Sequence, residues 1–255
     1  MALESYIRKK LEKKDILLMT HTVLGYPSME DSFRIIETMV EAGVDLMELQ
    51  IPFSEPMADG PVIVRANQAA LKQGVSVEVC LDVAEQAARS FDIPFLLMTY
   101  YNIPFCYGVD AFVASMAERG LQGSIIPDLP VEEGQDYLKA MQRRKLSPIL
   151  MFSPTTSEAR MKLIGGLARG FIYCVARKGV TGADTAFSHD VSLYLGRCRK
   201  ATNLPLAVGF GIKDREDVEF LKGKADIAVI GSRTIRMVEE KGVASVGEFI
   251  RGLRL

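Results

Sequence analysis

Short runs of consecutive apolar residues recur along this chain, separated by longer stretches in which apolar positions return every three or four residues. The short runs read as strands buried on both faces, and the longer stretches as helices packed on one side. An amphipathic start, Leu3 to Lys13, carries Leu3, Ile7 and Leu11 at helical spacing. The first strand is predicted at Ile16 to Val23 and is broken by Leu24-Gly25-Tyr26-Pro27. Ser28 or Asp31 can cap a helix that reaches Glu41, with Phe33, Ile36 and Val40 on one face. Gly43 ends it before a second strand, Val44 to Ile51.

The alternation continues with helices at Val62 to Lys72 and Val77 to Ser90, a strand at Phe95 to Thr99 and a helix at Val109 to Glu118. Strand Ser124 to Ile126 precedes helix Val131 to Arg144, and strand Pro148 to Phe152 precedes helix Ser157 to Leu167. Strand Phe171 to Val175 leads to helix Asp190 to Ala201, and strand Leu206 to Val208 to helix Arg215 to Leu221. Strand Ile227 to Ile230 is followed by a short helix, Ser232 to Met237, and a last one, Val246 to Leu253. Eight strand-then-helix units in one run predict an α/β protein, a (β/α)8 or TIM barrel with an extra N-terminal helix. A doubly wound open sheet accommodates the same alternation, and the count of eight favours the closed barrel.

Composition narrows the function. The 255 residues are 48% hydrophobic and 25% charged, with no linker-like segment, so one barrel domain over residues 1–255 is expected. A net charge of −1 gives no long-range attraction to nucleic acid or to a membrane surface. The basic clusters at Lys9, Lys10, Lys13 and Lys14, at Arg143 to Lys145, and at Arg197 to Lys200 read as solvated helix faces. Four cysteines form no C-x-x-C pair and there are only two histidines, so no metal centre is expected. With no apolar signal core at the N-terminus, a cytoplasmic location is expected.

In such a barrel the chemistry lies where strands end. Alternation puts Glu48 on the same strand face as Leu46 and Gln50. If that face lines the barrel, desolvation raises its pKa toward a range useful for acid–base work; a structural Glu with a paired cation is the other reading. Asp59 follows in a proline-bracketed acidic loop, either as a second catalytic carboxylate or as a helix cap before Pro61. Glycine-bearing loops at Gly179 and Gly182, at Gly209 and Gly211, and at Gly231 with Ser232 suit a phosphate cradle, and the first of them suits a closing lid.

The segment ELQIPFSEPMADGP (Glu48 to Pro61) closely resembles the signature of the tryptophan synthase alpha subunit. So do IIPDLPVEE (Ile125 to Glu133), RKGVTGA (Arg177 to Ala183), GFGI (Gly209 to Ile212) and IGSRTI (Ile230 to Ile235), in family order along essentially the whole chain. The resemblance implies a carbon–carbon lyase of tryptophan biosynthesis that splits indole-3-glycerol phosphate into indole and glyceraldehyde 3-phosphate. It implies that Glu48 protonates indole C3, that Asp59 meets the indole N–H, and that Tyr173 assists. Ile63, Met98, Ile125 and Phe210 would line the indole slot, Thr181 would reach Asp59 when the lid shuts, and Gly182, Gly211, Gly231 and Ser232 would bind phosphate. It further implies no cofactor in this chain and a beta-subunit partner holding pyridoxal phosphate, in an alpha2beta2 tetramer.

Three positions depart from the family pattern: Gln50 stands for a glycine, Glu55 for an aspartate, and His21 where an aromatic residue is commoner. They leave the carboxylate pair intact and bear on pocket shape and partner fit. Other readings are a free-standing indole-releasing lyase, a non-catalytic binding barrel that activates a partner, and indole-3-glycerol phosphate synthase. The last would need a lysine embedded in strands one to five, where none occurs.

Overall fold

A computed structural model describes residues 2–175, 189–209 and 211–255. Its strands are β1 (Leu17–Val23), β2 (Leu46–Gln50), β3 (Phe95–Met98), β4 (Gly123–Ile125), β5 (Ser147–Phe152), β6 (Ile172–Val175), β7 (Leu206–Gly209) and β8 (Ile227–Ile230). Each pairs in parallel with the next in sequence. The ladder Leu17↔Ile227 to Thr20↔Ile230 then joins β1 to β8 and closes the barrel, which excludes the open doubly wound sheet.

Helix α1 (Leu3–Leu11) precedes the barrel. The crossovers are α2 (Met29–Glu41) after β1, α3 (Pro61–Lys72) and α4 (Val77–Ser90) after β2, and α5 (Asn102–Tyr107) and α6 (Val109–Glu118) after β3. They continue with α7 (Gln135–Arg143), α8 (Glu158–Leu167), α9 (His189–Ala201) and α10 (Arg215–Leu221), one after each of β4 to β7. Two helices, α11 (Ser232–Lys241) and α12 (Ala244–Leu253), follow β8. Of the two candidate caps of α2, Ser28 is the one in place: its hydroxyl accepts from the Asp31 amide.

The strands sort their side chains by alternation. Leu18, Met47, Leu49, Leu97, Cys174 and Val208 face outward and pack with the helices. Leu17, Met19, Leu46, Leu96, Met98, Tyr100, Ile125, Phe171, Tyr173 and Val229 face inward and fill the barrel. Leu3 and Ile7 of α1 belong to that inner cluster, so α1 plugs the N-terminal end. Asp45 reinforces this end: its carboxylate accepts from the Leu18 amide and pairs with Lys14 at 2.6 Å, while its carbonyl accepts from the Tyr6 hydroxyl.

Four local expectations are corrected. The helix after β8 is longer than Ser232 to Met237; it runs to Lys241 and stops at Gly242, whose φ of +80° suits glycine alone. Residues 131–133 form a turn, closed by the Glu133 amide on the Pro130 carbonyl, so α7 starts only at Gln135. Strand β4 begins and ends one residue earlier than its apolar run. Helix α5, a single turn and a half of mixed polarity, is too short to show a period.

Candidate active site

Residues 17, 19 and 21 of β1 and 46, 48 and 50 of β2 share the inward face, which brings His21 and Glu48 side by side as partners across the ladder. Both are buried, at 3% and 4% exposure. The imidazole Nδ1 lies 3.0 Å from Oε1 of Glu48. An ionised carboxylate can only accept, so Nδ1 then carries the proton. The other two atoms, Nε2 of His21 and Oε2 of Glu48, are buried with no hydrogen-bond partner among the described residues. Such atoms are costly to leave unsatisfied, and at a barrel mouth they mark where a polar ligand completes the site.

Burial pushes the His21 pKa down, but the hydrogen bond and charge of Glu48, with contributions from Asp59 and the Gln50 side chain, raise it above the ordinary 6.5. Glu48 therefore has a titrating neighbour, which supplies a paired cation when His21 is protonated.

Asp59 is held by two donors on one oxygen. The Gln50 amide donates to Oδ2 at 2.7 Å and the Tyr100 hydroxyl at 2.9 Å. Burial raises the Asp59 pKa; the nearby His21 and these two donors oppose the rise, and Glu48 adds to it. The cap reading is overturned, because α3 is capped by Gly60 without a side-chain bond and carries Pro61 in its first turn. Tyr100 also accepts from the Ala58 amide and stacks on Phe53 with centroids 5.3 Å apart. Asn67 of α3 accepts from the Phe53 amide at 2.8 Å and donates to the Ile63 carbonyl. Loop 51–60 is thus bolted to β3 and α3, and the position of Asp59 is fixed by side chains from three elements.

Tyr173 lies inside the barrel on β6. Burial, then the charges of Glu48 and Asp59, lift its pKa well above 10, which places the phenol in the electrostatic field of both carboxylates. Its ring lies across Gly209 at the end of β7, where an added Cβ would sit 2.3 Å from the hydroxyl. Met98 and Ile125 are Cα partners across β3 and β4 and belong to the same inner cluster. Ile63 packs with Val23 and Ile235 between α3, β1 and α11. Gly231 and Ser232 form the start of α11 directly after β8, and Gly211, with φ +106°, follows β7. That arrangement offers backbone amides and a helix N-terminus to an anion. Thr181, Gly182 and Phe210 lie outside the described residues.

Sequence reasoning did not find Tyr100, Asn67 or the direct contacts of His21 and Gln50. The available signals were inward parity on β1 and β2 for His21 and Gln50, and a tyrosine just past β3 on its inward face.

The chain matches the family model described as tryptophan synthase alpha chain over residues 7–249. It is 64% identical over 251 residues to the tryptophan synthase alpha chain of Desulforapulum autotrophicum, covering 98% of this chain and 99% of that one. It is 62% identical over 252 residues to the corresponding chain of Syntrophotalea carbinolica, covering 99% and 100%. Among solved structures, a chain of Mycobacterium tuberculosis tryptophan synthase superposes with a TM-score of 0.91 at 32% identity, covering 100% of both.

Proposed function

Because this chain belongs to the tryptophan synthase alpha chain family, we propose that Glu48 and Asp59 perform the family's reaction here, within one barrel domain formed by residues 1–255. The activity is that of the alpha component in tryptophan biosynthesis, the cleavage of indole-3-glycerol phosphate to indole and glyceraldehyde 3-phosphate. The net chemistry moves one proton from the hydroxyl on the side-chain carbon to indole C3. The carbon–carbon bond breaks and the hydroxyl carbon becomes the aldehyde.

Glu48 delivers the proton to C3 through Oε2, the buried oxygen left without a partner among the described residues; that observation carries the reading. Protonated at C3, the ring carries positive charge at its nitrogen, and Asp59 accepts the N–H and offsets that charge. The donors on Asp59 Oδ2 favour the ionised form that this role requires. Tyr173 flanks the ring and both carboxylates. Ile63, Met98, Ile125 and Phe210 line the indole slot, and Thr181 closes toward Asp59. Gly182, Gly211, Gly231 and Ser232 hold the phosphate, so that binding energy from the tail orients the reacting bond.

The chain needs no cofactor of its own for this proton chemistry. It works with a tryptophan synthase beta subunit, which holds pyridoxal phosphate, in an alpha2beta2 tetramer. The loop tip with the exposed Glu55 and Met57 contributes to that contact. Among the described residues no helix is long and apolar enough to cross a membrane, and we place the enzyme in the cytoplasm.

The test is indole release from indole-3-glycerol phosphate by the purified chain, with and without a beta subunit, for the wild type and Glu48→Gln. Release that the substitution abolishes and the partner increases is the expected result. Undiminished release by folded Glu48→Gln overturns the assignment of Glu48, and no release by the wild type under either condition overturns the catalytic reading.

A further inference from the structure

We propose that His21 and Glu48 form one proton-holding dyad, in which His21 is a positioning residue that occupies Oε1 of Glu48 and leaves Oε2 as the oxygen that faces the substrate. The inference deepens the assignment of Glu48 and rests on it. Two buried side chains meet at 3.0 Å on the inner face of adjacent strands, and each keeps one polar atom unpartnered among the described residues. A hydrogen bond on Oε1 restricts rotation of the carboxyl and distinguishes its two oxygens. The His21 backbone is fixed as well: β1 pairs with β2 through it, and the Thr234 hydroxyl of α11 points to its carbonyl.

Below the His21 midpoint the pair holds one proton more than a carboxylate and a neutral ring. With that proton on Glu48, the carboxyl can supply C3. With it on His21, the pair is imidazolium and carboxylate. Transfer to C3 leaves a carboxylate beside a neutral ring, and the proton released by the substrate hydroxyl restores the starting count. The groups that face the ring are Glu48 and Gln50 from β2 and Asp59 from the following loop, with Tyr173 across the barrel next to both carboxylates. Glu48 is the strongest of the influences that keep a proton on His21. Because Glu48 raises the His21 midpoint, the shared proton stays next to C3 over the pH range in which His21 is protonated.

The chain has two histidines, so ¹⁵N nuclear magnetic resonance reads His21 directly, with its signals assigned by their loss in His21→Phe. The expected result is a His21 titration midpoint above 6.5 in the wild type that falls in Glu48→Gln, where burial is no longer opposed by the carboxylate. A midpoint that does not respond to Glu48→Gln overturns the dyad, whatever the activity of that variant.

Activity supplies the second arm. His21→Phe keeps an aromatic ring but removes the shared proton. Its kcat for indole release is expected to fall about tenfold near pH 8 and by less than about threefold near pH 6, because the basic limb moves to lower pH. His21→Gln, which can still donate to Oε1 but carries no titrating proton, is expected to leave the limb at the lower pH seen in His21→Phe. A uniform loss across pH in His21→Phe, with the limb unmoved, means His21 only fills space and overturns the proposal. Full activity in Glu48→Gln instead sinks the reading of Glu48, leaving the titration to judge the pair.

Discussion

Gln50 and Asp59, nine residues apart, meet at 2.7 Å, with the side-chain amide of the strand residue donating to Oδ2 of the loop carboxylate. The strand that presents Glu48 therefore also holds the second carboxylate, and the two are mechanically linked through β2. Tyr100 donates to the same oxygen from the neighbouring strand end.

Removing a donor from Asp59 should therefore move its titration. Gln50 and Tyr100 both favour the ionised form, against burial that raises the pKa. In Tyr100→Phe or Gln50→Leu the pKa should rise further, and the acid limb of kcat/KM should move to higher pH. A hydrogen bond to a charged group contributes about 1.5–3 kcal/mol, so about tenfold or more should be lost at low pH and less at high pH. A pH–rate profile for indole release checks this; a limb that stays in place in both variants removes Asp59 from the ionisations that matter.

Gly209→Ala should act through Tyr173. The added methyl would fall 2.3 Å from the phenol oxygen and 2.4 Å from a ring carbon, so the ring must swing away. Overpacking of this kind costs about 1–3 kcal/mol, to be read by denaturant unfolding, and kcat should fall alongside. In a Tyr173→Ala background, which is itself destabilised by the cavity it opens, the added methyl should cost much less, making the double substitution less than additive. Strict additivity would show that the two residues are not coupled.

Ile7→Ala tests the plug. Ile7 is fully buried in the inner cluster, and truncating such a side chain typically costs about 2–5 kcal/mol. A loss below about 1 kcal/mol in chemical denaturation would mean that α1 is peripheral to the barrel's stability.

Much of this architecture was legible because barrel strands and helices announce themselves by different periods. The apolar runs place all eight strands, and inward parity on β2 puts Glu48 in the lumen. What period cannot reveal is which side chains meet across distance. Tyr100 reaches Asp59 over 41 residues of sequence, and Asn67 ties α3 back to Phe53. A bare count of apolar positions treats Tyr100 as core, which it also is, since the ring packs inside while the hydroxyl works at the rim. The same economy hid His21, whose role depends on a register partner rather than on its own neighbours.

Leu3 and Ile7 give the lumen a floor. Among the described residues the lumen is closed at that end, so whatever enters as substrate and whatever leaves as product use the mouth that β1 to β8 open toward. Anything seated over that mouth would then control arrivals and departures alike, and the two products, one apolar and one phosphorylated, would have to part company at the rim.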